Sequence, residues 1–343
     1  MSQISLSLRR RSAGVDRRFF AGETTAAAAL FLILAAVPPI IAGYPTYILP
    51  QYMLFGVLAM SLSLLWGFAG IVSFGQAAFF SVGAYAMGLM MHQDYGFNPP
   101  YAGILIAIPA ATLLAAVTGY FLFSAGARAT YFVLVTLALS ISAEQVAVSQ
   151  SGITGGWNGL FVDRMELTFG PLGAVSLTDD ARMFYFVLVI VICVYLLMRR
   201  LTTGKFGKVL VGIRENENRL TALGYDVAFY KTLAFALSGG VAGLAGALYA
   251  THANFVSPSL GGVLFSTQAV VWVAIGGRGS LLGALAGGIV VSSLTNYLSA
   301  VIPDYWQLAL GFIFIVVIVF FKRGLAGLLE SAFEALRHWR TAR

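Results

Sequence analysis

Charge is the scarcest property of this sequence. Asp, Glu, Lys and Arg together make up 10% of its 343 residues, against about a quarter in an ordinary soluble domain. So few charges cannot cover a water-facing surface, which excludes a conventional soluble enzyme. Cysteine is nearly absent: Cys193 stands alone, so an internal disulfide and a cysteine-built metal site are both excluded. It lies in an apolar run, where an inert packing thiol is expected. The histidines His92, His252 and His338 are scattered, with no H-x-x-x-H or H-E-x-x-H spacing and no serine–histidine–aspartate arrangement. No G-x-x-x-x-G-K-[ST] occurs either. Gly276-Gly277-Arg278-Gly279-Ser280 lacks both the lysine and the spacing of a phosphate loop. Catalysis, a bound metal and a bound cofactor are therefore not expected of this chain.

What is abundant is apolar: 59% of residues are hydrophobic, and the mean hydropathy is +0.85. The apolar runs are continuous rather than alternating, which argues for membrane helices and against a β-barrel. They fall near 26–43, 48–68, 72–91, 101–123, 129–149, 183–198, 232–252, 264–276, 281–300 and 305–321. At about 20 residues per crossing, the expectation is an all-α, polytopic transmembrane bundle of about ten spans. Lys and Arg set its orientation. Placing both termini in the cytoplasm leaves only Arg164 and Arg182 on the outer side, out of 21 basic residues. The net charge of +7 is then a topology signal, and no nucleic-acid partner is expected. The division is a basic cytoplasmic N-terminus over 1–25, a transmembrane domain over 26–321 and a basic amphipathic tail over 322–343. Within that tail Leu329, Phe333, Leu336 and Trp339 share one helical face, as in an interfacial helix.

Two segments are unlike simple spans. Trp66-Gly67-Phe68-Ala69-Gly70-Ile71-Val72-Ser73-Phe74-Gly75-Gln76 and Trp272-Val273-Ala274-Ile275-Gly276-Gly277-Arg278-Gly279-Ser280 each place glycines and a serine soon after a tryptophan. They read as a weak internal repeat whose sense, inverted or parallel, the pattern leaves open. Paired glycine-interrupted segments in the two halves of a membrane chain point to a translocation site; close helix packing or a cytoplasmic turn is the plainer alternative. Gly239/Gly243 and Gly283/Gly287 have the small-xxx-small spacing of packing alone. Glu144 is the one acid well inside a span, and an intramembrane carboxylate needs a reason: recognition of a polar solute or its ammonium group, or access to headgroup water. Beyond it, Thr154-Gly155-Gly156-Trp157-Asn158-Gly159-Leu160 reads as an outer turn, with a gate or docking element as its functional version.

The inner loop 199–231 carries a short amphipathic helix. Phe206, Val209, Leu210, Ile213, Leu220 and Leu223 fall near one face, Glu215 and Arg219 are spaced for an i,i+4 ion pair, and Gly224 is placed to end the helix. A passive connector and a lever pressed into a cytoplasmic partner both fit that pattern.

Across nearly the whole chain after about residue 45, the sequence resembles the membrane subunits of ATP-binding-cassette (ABC) importers for branched-chain amino acids, and their relatives for urea and short amides. The resemblance rests on Trp66–Gln76, Thr154–Leu160, Gly207–Ala250, Trp272–Ala284 and Tyr305–Leu328. It implies a permease in the inner membrane, working by alternating access beside a second, homologous permease subunit. Two cytoplasmic ATP-binding subunits, which hold the ATP and magnesium, and an extracytoplasmic solute-binding protein complete the system. By this resemblance the segment 207–224 is the element that docks on the ATPases, with Arg214, Glu215, Glu217, Arg219 and Gly224 as its candidate coupling residues. Ser73, Gln76, Thr154, Gly155, Gly156, Asn158, Gly276 and Gly277 match family motifs and, with Glu144 and Trp272, are the candidate pathway residues. The expected solute is a branched-chain amino acid, although Asn216–Arg219 and Trp272–Gly279 lean toward the urea and amide branch. An ion-coupled secondary transporter would need more intramembrane acids than Glu144. A passive channel would ignore a binding protein.

Overall fold

The computed structural model describes residues 23–41, 43–92, 99–126, 129–168, 174–320 and 324. The arginines before residue 22, Arg128 and the expected interfacial helix of the tail lie outside the described residues. Without water to bind the backbone, apolar segments satisfy their N–H and C=O groups internally, as helices. Each of the ten apolar stretches falls largely on one, although 72–91 becomes helical only at Gln76. They are α1 (Glu23–Ile40), α2 (Tyr44–Ser63), α3 (Gln76–His92), α4 (Pro99–Ser124), α5 (Ala129–Ser149) and α6 (Asp180–Thr203). The short α7 (Lys205–Glu215) and α8 (Glu217–Ala222) follow, then α9 (Val227–Ala253), α10 (Val263–Gly276), α11 (Leu281–Val301) and α12 (Trp306–Phe320). Among the described residues, seven helices are long and apolar enough to cross a membrane alone. The three that fall short are α3, α10 and α12, with 17, 14 and 15 residues.

Small residues decide which helices meet. The face of α4 buries Gly103, Ala107, Ala111, Ala115 and Gly119 at every fourth position, and α9 lays its own glycines into that stripe. A Cβ at Gly239 or Gly243 would come within 2.4 Å of Ala115 or Ala111. On the other flank of α9, a Cβ at Gly83 of α3 would meet the Gly243 carbonyl at 1.9 Å. Backbones this close are how membrane helices gain packing without a hydrophobic drive. Running antiparallel, α2 and α11 cross at Gly56 and Gly288, and α2 is buried along most of its length. By contrast α6 and α12 turn apolar side chains such as Val189, Leu197, Leu308 and Phe312 outward. Cys193 faces out with them, which corrects the expectation of a buried packing thiol.

The bundle has two distinct ends. At one, α6 runs out through Arg199 and Arg200 into α7 and α8; this is the basic end. The opposite end carries four short strands, β1 (Leu160–Phe161), β2 (Glu166–Thr168), β3 (Ala174–Ser176) and β4 (Phe255–Val256), paired β1 with β4 and β2 with β3. There Arg164 donates to Asp180 at 2.9 Å and to the Thr178 carbonyl, tying the strands to the start of α6.

Candidate functional site

The first interrupted span begins where α2 widens into a π-helical turn, Leu64–Ala69. Gly70 closes it in the left-handed region (φ 74°), and the Ile71 N–H returns to the Leu65 carbonyl. The chain then climbs back into the bundle without helical structure until α3 starts at Gln76. Non-helical backbone at this depth must find partners inside the protein, and α5 supplies them. The Thr136 hydroxyl accepts from Phe74 N–H (3.1 Å), and Ser140 donates to the Phe74 carbonyl (2.7 Å). Ser73 Oγ accepts from Gly75 N–H at 3.1 Å. The Gln76 amide lies between Ser61 Oγ of α2 (3.2 Å) and Ser238 Oγ of α9 (3.1 Å). All six of these hydroxyl and amide side chains are fully buried.

The second interruption comes from the opposite end. After α9 the chain turns at Asn254, the one non-glycine with positive φ among the described residues. It passes β4 and a 3-10 turn at Pro258–Gly261, then starts α10 at Val263. That turn is sunk into the bundle: at Gly261 a Cβ would touch Ser81 Oγ and the Glu144 backbone, and at Gly262 the Glu144 carboxylate. The two half-spans, α3 and α10, lie antiparallel and meet at their first turns. Ala77 N–H donates to Ser266 Oγ (3.1 Å), which also lies 3.0 Å from Ser140 Oγ. The junction is level with the middle of α5, the helix that partners both breaks.

At the basic end a third contact joins the two tryptophan segments. A Cβ at Gly67 would come within 2.5 Å of Gly279 N, and the Arg278 guanidinium lies 4.2 Å from the centre of the Trp66 ring. Trp272 is buried and stacks on Phe55 (5.1 Å, 17°). Gly276 packs on the Gly283 carbonyl, and Gly277 (φ 114°) and Gly279 (φ 88°) make the turn into α11. Onto this platform comes α7. Its Arg214 guanidinium donates to the Gly67 carbonyl, at the tip of the π-helical turn, and its aliphatic stem lies on Gly70.

Residues 44–318 match the family described as the permease component of branched-chain amino acid transport systems. The chain belongs to this permease family. It is similar to the high-affinity branched-chain amino acid transport permease protein LivM of Salmonella typhimurium, 26% identical over 87% of this chain and 73% of that protein. A probable branched-chain amino acid transport permease, LivM of Methanocaldococcus jannaschii, is 28% identical over 70% and 77%. More distantly, the ribose import permease RbsC of Haemophilus influenzae is 24% identical over 64% and 68%. No solved structure matches the chain.

In this permease the candidate pathway residues fall into separate places. Ser73 and Gln76 belong to the central junction. Trp272 is buried deeper, its ring against Phe55 and against Phe265, the neighbour of Ser266. Gly276 and Gly277 are buried near the basic end, where Gly277–Ser280 is a turn between two helices and not a break in a span. Glu144 lies beside Gly262, half-buried. Thr154, Gly155, Gly156 and Asn158 form a tight knot at the opposite end, where the Thr154 hydroxyl donates to carbonyls of α5 and the following turn, and Trp157 stands 76% exposed. Of the coupling residues, the expected Glu215–Arg219 pair does not form. Asn216 interrupts the helix and caps α8, accepting from Arg219 N–H at 3.0 Å; Glu215 pairs with Arg214 at 3.1 Å and Glu217 with Lys231 at 2.6 Å. Leu223, expected on the packed face, is 67% exposed, because the chain turns away at Gly224 (φ 86°). Ser61, Thr136, Ser238 and Ser266 escaped the sequence reading. Isolated serines and threonines in apolar helices are too common to stand out, and only the breaks they satisfy give them meaning.

Proposed function

We propose that this permease is the membrane subunit of an ABC importer carrying branched-chain amino acids inward across the inner membrane by alternating access. In this reading both termini are cytoplasmic, and the basic end faces the ATPases. A homologous permease subunit stands beside it, two ATP-binding subunits bind α7 and α8, and an extracytoplasmic binding protein delivers solute at the strand-bearing end. This chain holds no nucleotide; ATP and magnesium act in the partners. Ser73 and Gln76 serve as positioning residues that hold the interrupted span, and Arg214 connects it to the lever. The exposed tip of α7–α8, with Glu215, Glu217, Arg219 and Gly224, meets the ATPases. The names of the LivM relatives support the solute class.

One observation carries the mechanism: Arg214 reaches from the surface helix α7 to the carbonyl of Gly67, at the root of the first interrupted span. A shift of α7 therefore acts directly on the backbone that leads to the Ala77–Ser266 junction. A bound solute and bound ATP then each favour one arrangement of the same element, as a two-state cycle requires. The test is uptake of labelled leucine by the whole complex in liposomes. Uptake requiring both ATP hydrolysis and the binding protein supports the reading. Uptake without ATP rejects it in favour of a channel or an ion-coupled carrier. Competition by urea but not by leucine would move the solute to the amide branch.

A further inference from the structure

Most outward faces of this bundle are apolar, as lipid contact requires. On α4 they show Leu105, Leu113, Val117 and Phe121; on α12, Leu308, Phe312 and Ile315. The face shared by α5 and α10 is mixed, with polar side chains beside the exposed Leu264. Ser142 and Gln145 of α5 and Thr267 and Gln268 of α10 are all exposed, and Glu144 is half-buried between the two helices. Among the described residues, Glu144, Gln145 and Gln268 have no side-chain hydrogen bond and no ion pair.

The register of the two helices fixes their depth. They run antiparallel, with Ser140 against Ser266 and Glu144 against Gly262. Gln268 is therefore level with the middle of α5, while Gln145 lies one turn from its end. At about 1.5 Å per residue, the polar strip descends about 10 Å, from just inside the strand-bearing end to the junction of the two half-spans. Snorkelling to the interface accounts for Gln145 but not for Gln268, which is too short and too deep. An unpaired amide or carboxylate facing hydrocarbon is costly, whereas one facing water or a polar solute is not.

We propose that the α5–α10 face is one wall of the aqueous route by which a zwitterionic amino acid reaches the central junction, with Glu144 accepting its ammonium group. This rests on the permease reading above and deepens it. The homologous permease subunit supplies the opposite wall. Gln145, Ser142 and Gln268 exchange hydrogen bonds with the hydrated solute on its way past the carboxylate.

The test uses cysteine variants in the whole complex. Gln145→Cys, Gln268→Cys and, as a lipid-facing control, Leu113→Cys are each made on a Cys193→Ala background. Each is challenged with a cationic, membrane-impermeant methanethiosulfonate, with and without ATP. The expected result is labelling of positions 145 and 268 at least tenfold faster than of 113, changing with nucleotide state and slowed by leucine. Glu144→Gln should raise the KM for uptake by tenfold or more, with Glu144→Asp recovering part of it. Labelling at 268 no faster than at 113 in every nucleotide state overturns the proposal, and so does an unchanged KM in Glu144→Gln. If ATP-driven uptake by the cysteine variants persists while both positions stay unlabelled, the route is wrong and the importer reading stands. Loss of ATP dependence in the unmodified complex defeats the importer reading itself.

Discussion

The backbone N–H of Ala77 donates to the hydroxyl of Ser266 at 3.1 Å, so the first turn of one half-span is capped by the first turn of the other. Neither helix end is satisfied by its own N-terminal side chain alone. The start of α3 therefore depends on α10, and α5 holds both breaks through Thr136 and Ser140.

Removing that shared hydroxyl should loosen the centre without unfolding the protein. Ser266→Ala takes away the acceptor for Ala77 and the partner of Ser140 in a fully buried position. A lost cap or buried hydrogen bond costs about 1–2 kcal/mol. Thermal unfolding of the purified complex should show that loss, whereas Ser149→Ala, which removes a local bond on an exposed side chain, should stay within about 0.5 kcal/mol.

Backbone contact between helices makes a sharper demand. At Gly83 a methyl group would meet the Gly243 carbonyl at 1.9 Å, and neither α3 nor α9 has a side chain there that can give way. Gly83→Ala should cost about 3 kcal/mol or more by overpacking and lower the yield of folded protein. Gly311→Ala has nothing within 4 Å and should be neutral. Comparing folded yield and melting of the two variants checks this.

The apolar spans and the break after Trp66 were legible because long hydrophobic runs and glycine next to tryptophan leave strong signals. The second break was not. The tryptophan-glycine repeat pointed to Trp272–Ser280, yet that segment is the end of α10 and the turn Gly277–Ser280 that follows it at the basic end. The chain is interrupted before α10, in Ser257-Pro258-Ser259-Leu260-Gly261-Gly262. A sign of it was present, since the apolar run 264–276 is too short to cross a membrane at about 20 residues per span. The helices α2 and α10 run the same way, which explains why their ends look alike, while the interrupted spans α3 and α10 run opposite ways. The partner of Gln76 was beyond reach for a different reason: Ser238 is 162 positions away, and packing of α3 on α9 had to be known before the two could be paired.

Arg214 should separate coupling from assembly. Its guanidinium meets the Gly67 carbonyl, while its stem fills the space beside Gly70. Hydrogen bonds from a charged donor contribute about 1.5–3 kcal/mol. Arg214→Ala is expected to cut leucine uptake by about tenfold or more while the complex still forms and hydrolyses ATP. Arg214→Lys keeps the charge but loses the planar fork, and should recover only part of the uptake. Uptake per ATP hydrolysed, measured on the assembled complex, reads this directly.

At the opposite end, two neighbours in one loop should behave differently. Trp157 is 76% exposed, whereas a Cβ at Gly159 (φ 70°) would meet the Phe255 ring at 2.5 Å and the Val256 carbonyl at 2.6 Å. Gly159→Ala should therefore lower stability by forcing β1 away from β4. Trp157→Ala should leave the melting transition within about 0.5 kcal/mol of the parent. If the knot docks the binding protein, a large exposed aromatic is the side chain on which such contacts concentrate. Trp157→Ala should then weaken binding-protein-dependent uptake by about tenfold, equivalent to about 1.4 kcal/mol of binding. Titrating the binding protein against uptake distinguishes the cases: a raised half-saturation concentration with an unchanged maximum locates the loss at docking. A lowered maximum at unchanged half-saturation assigns Trp157 to the gate.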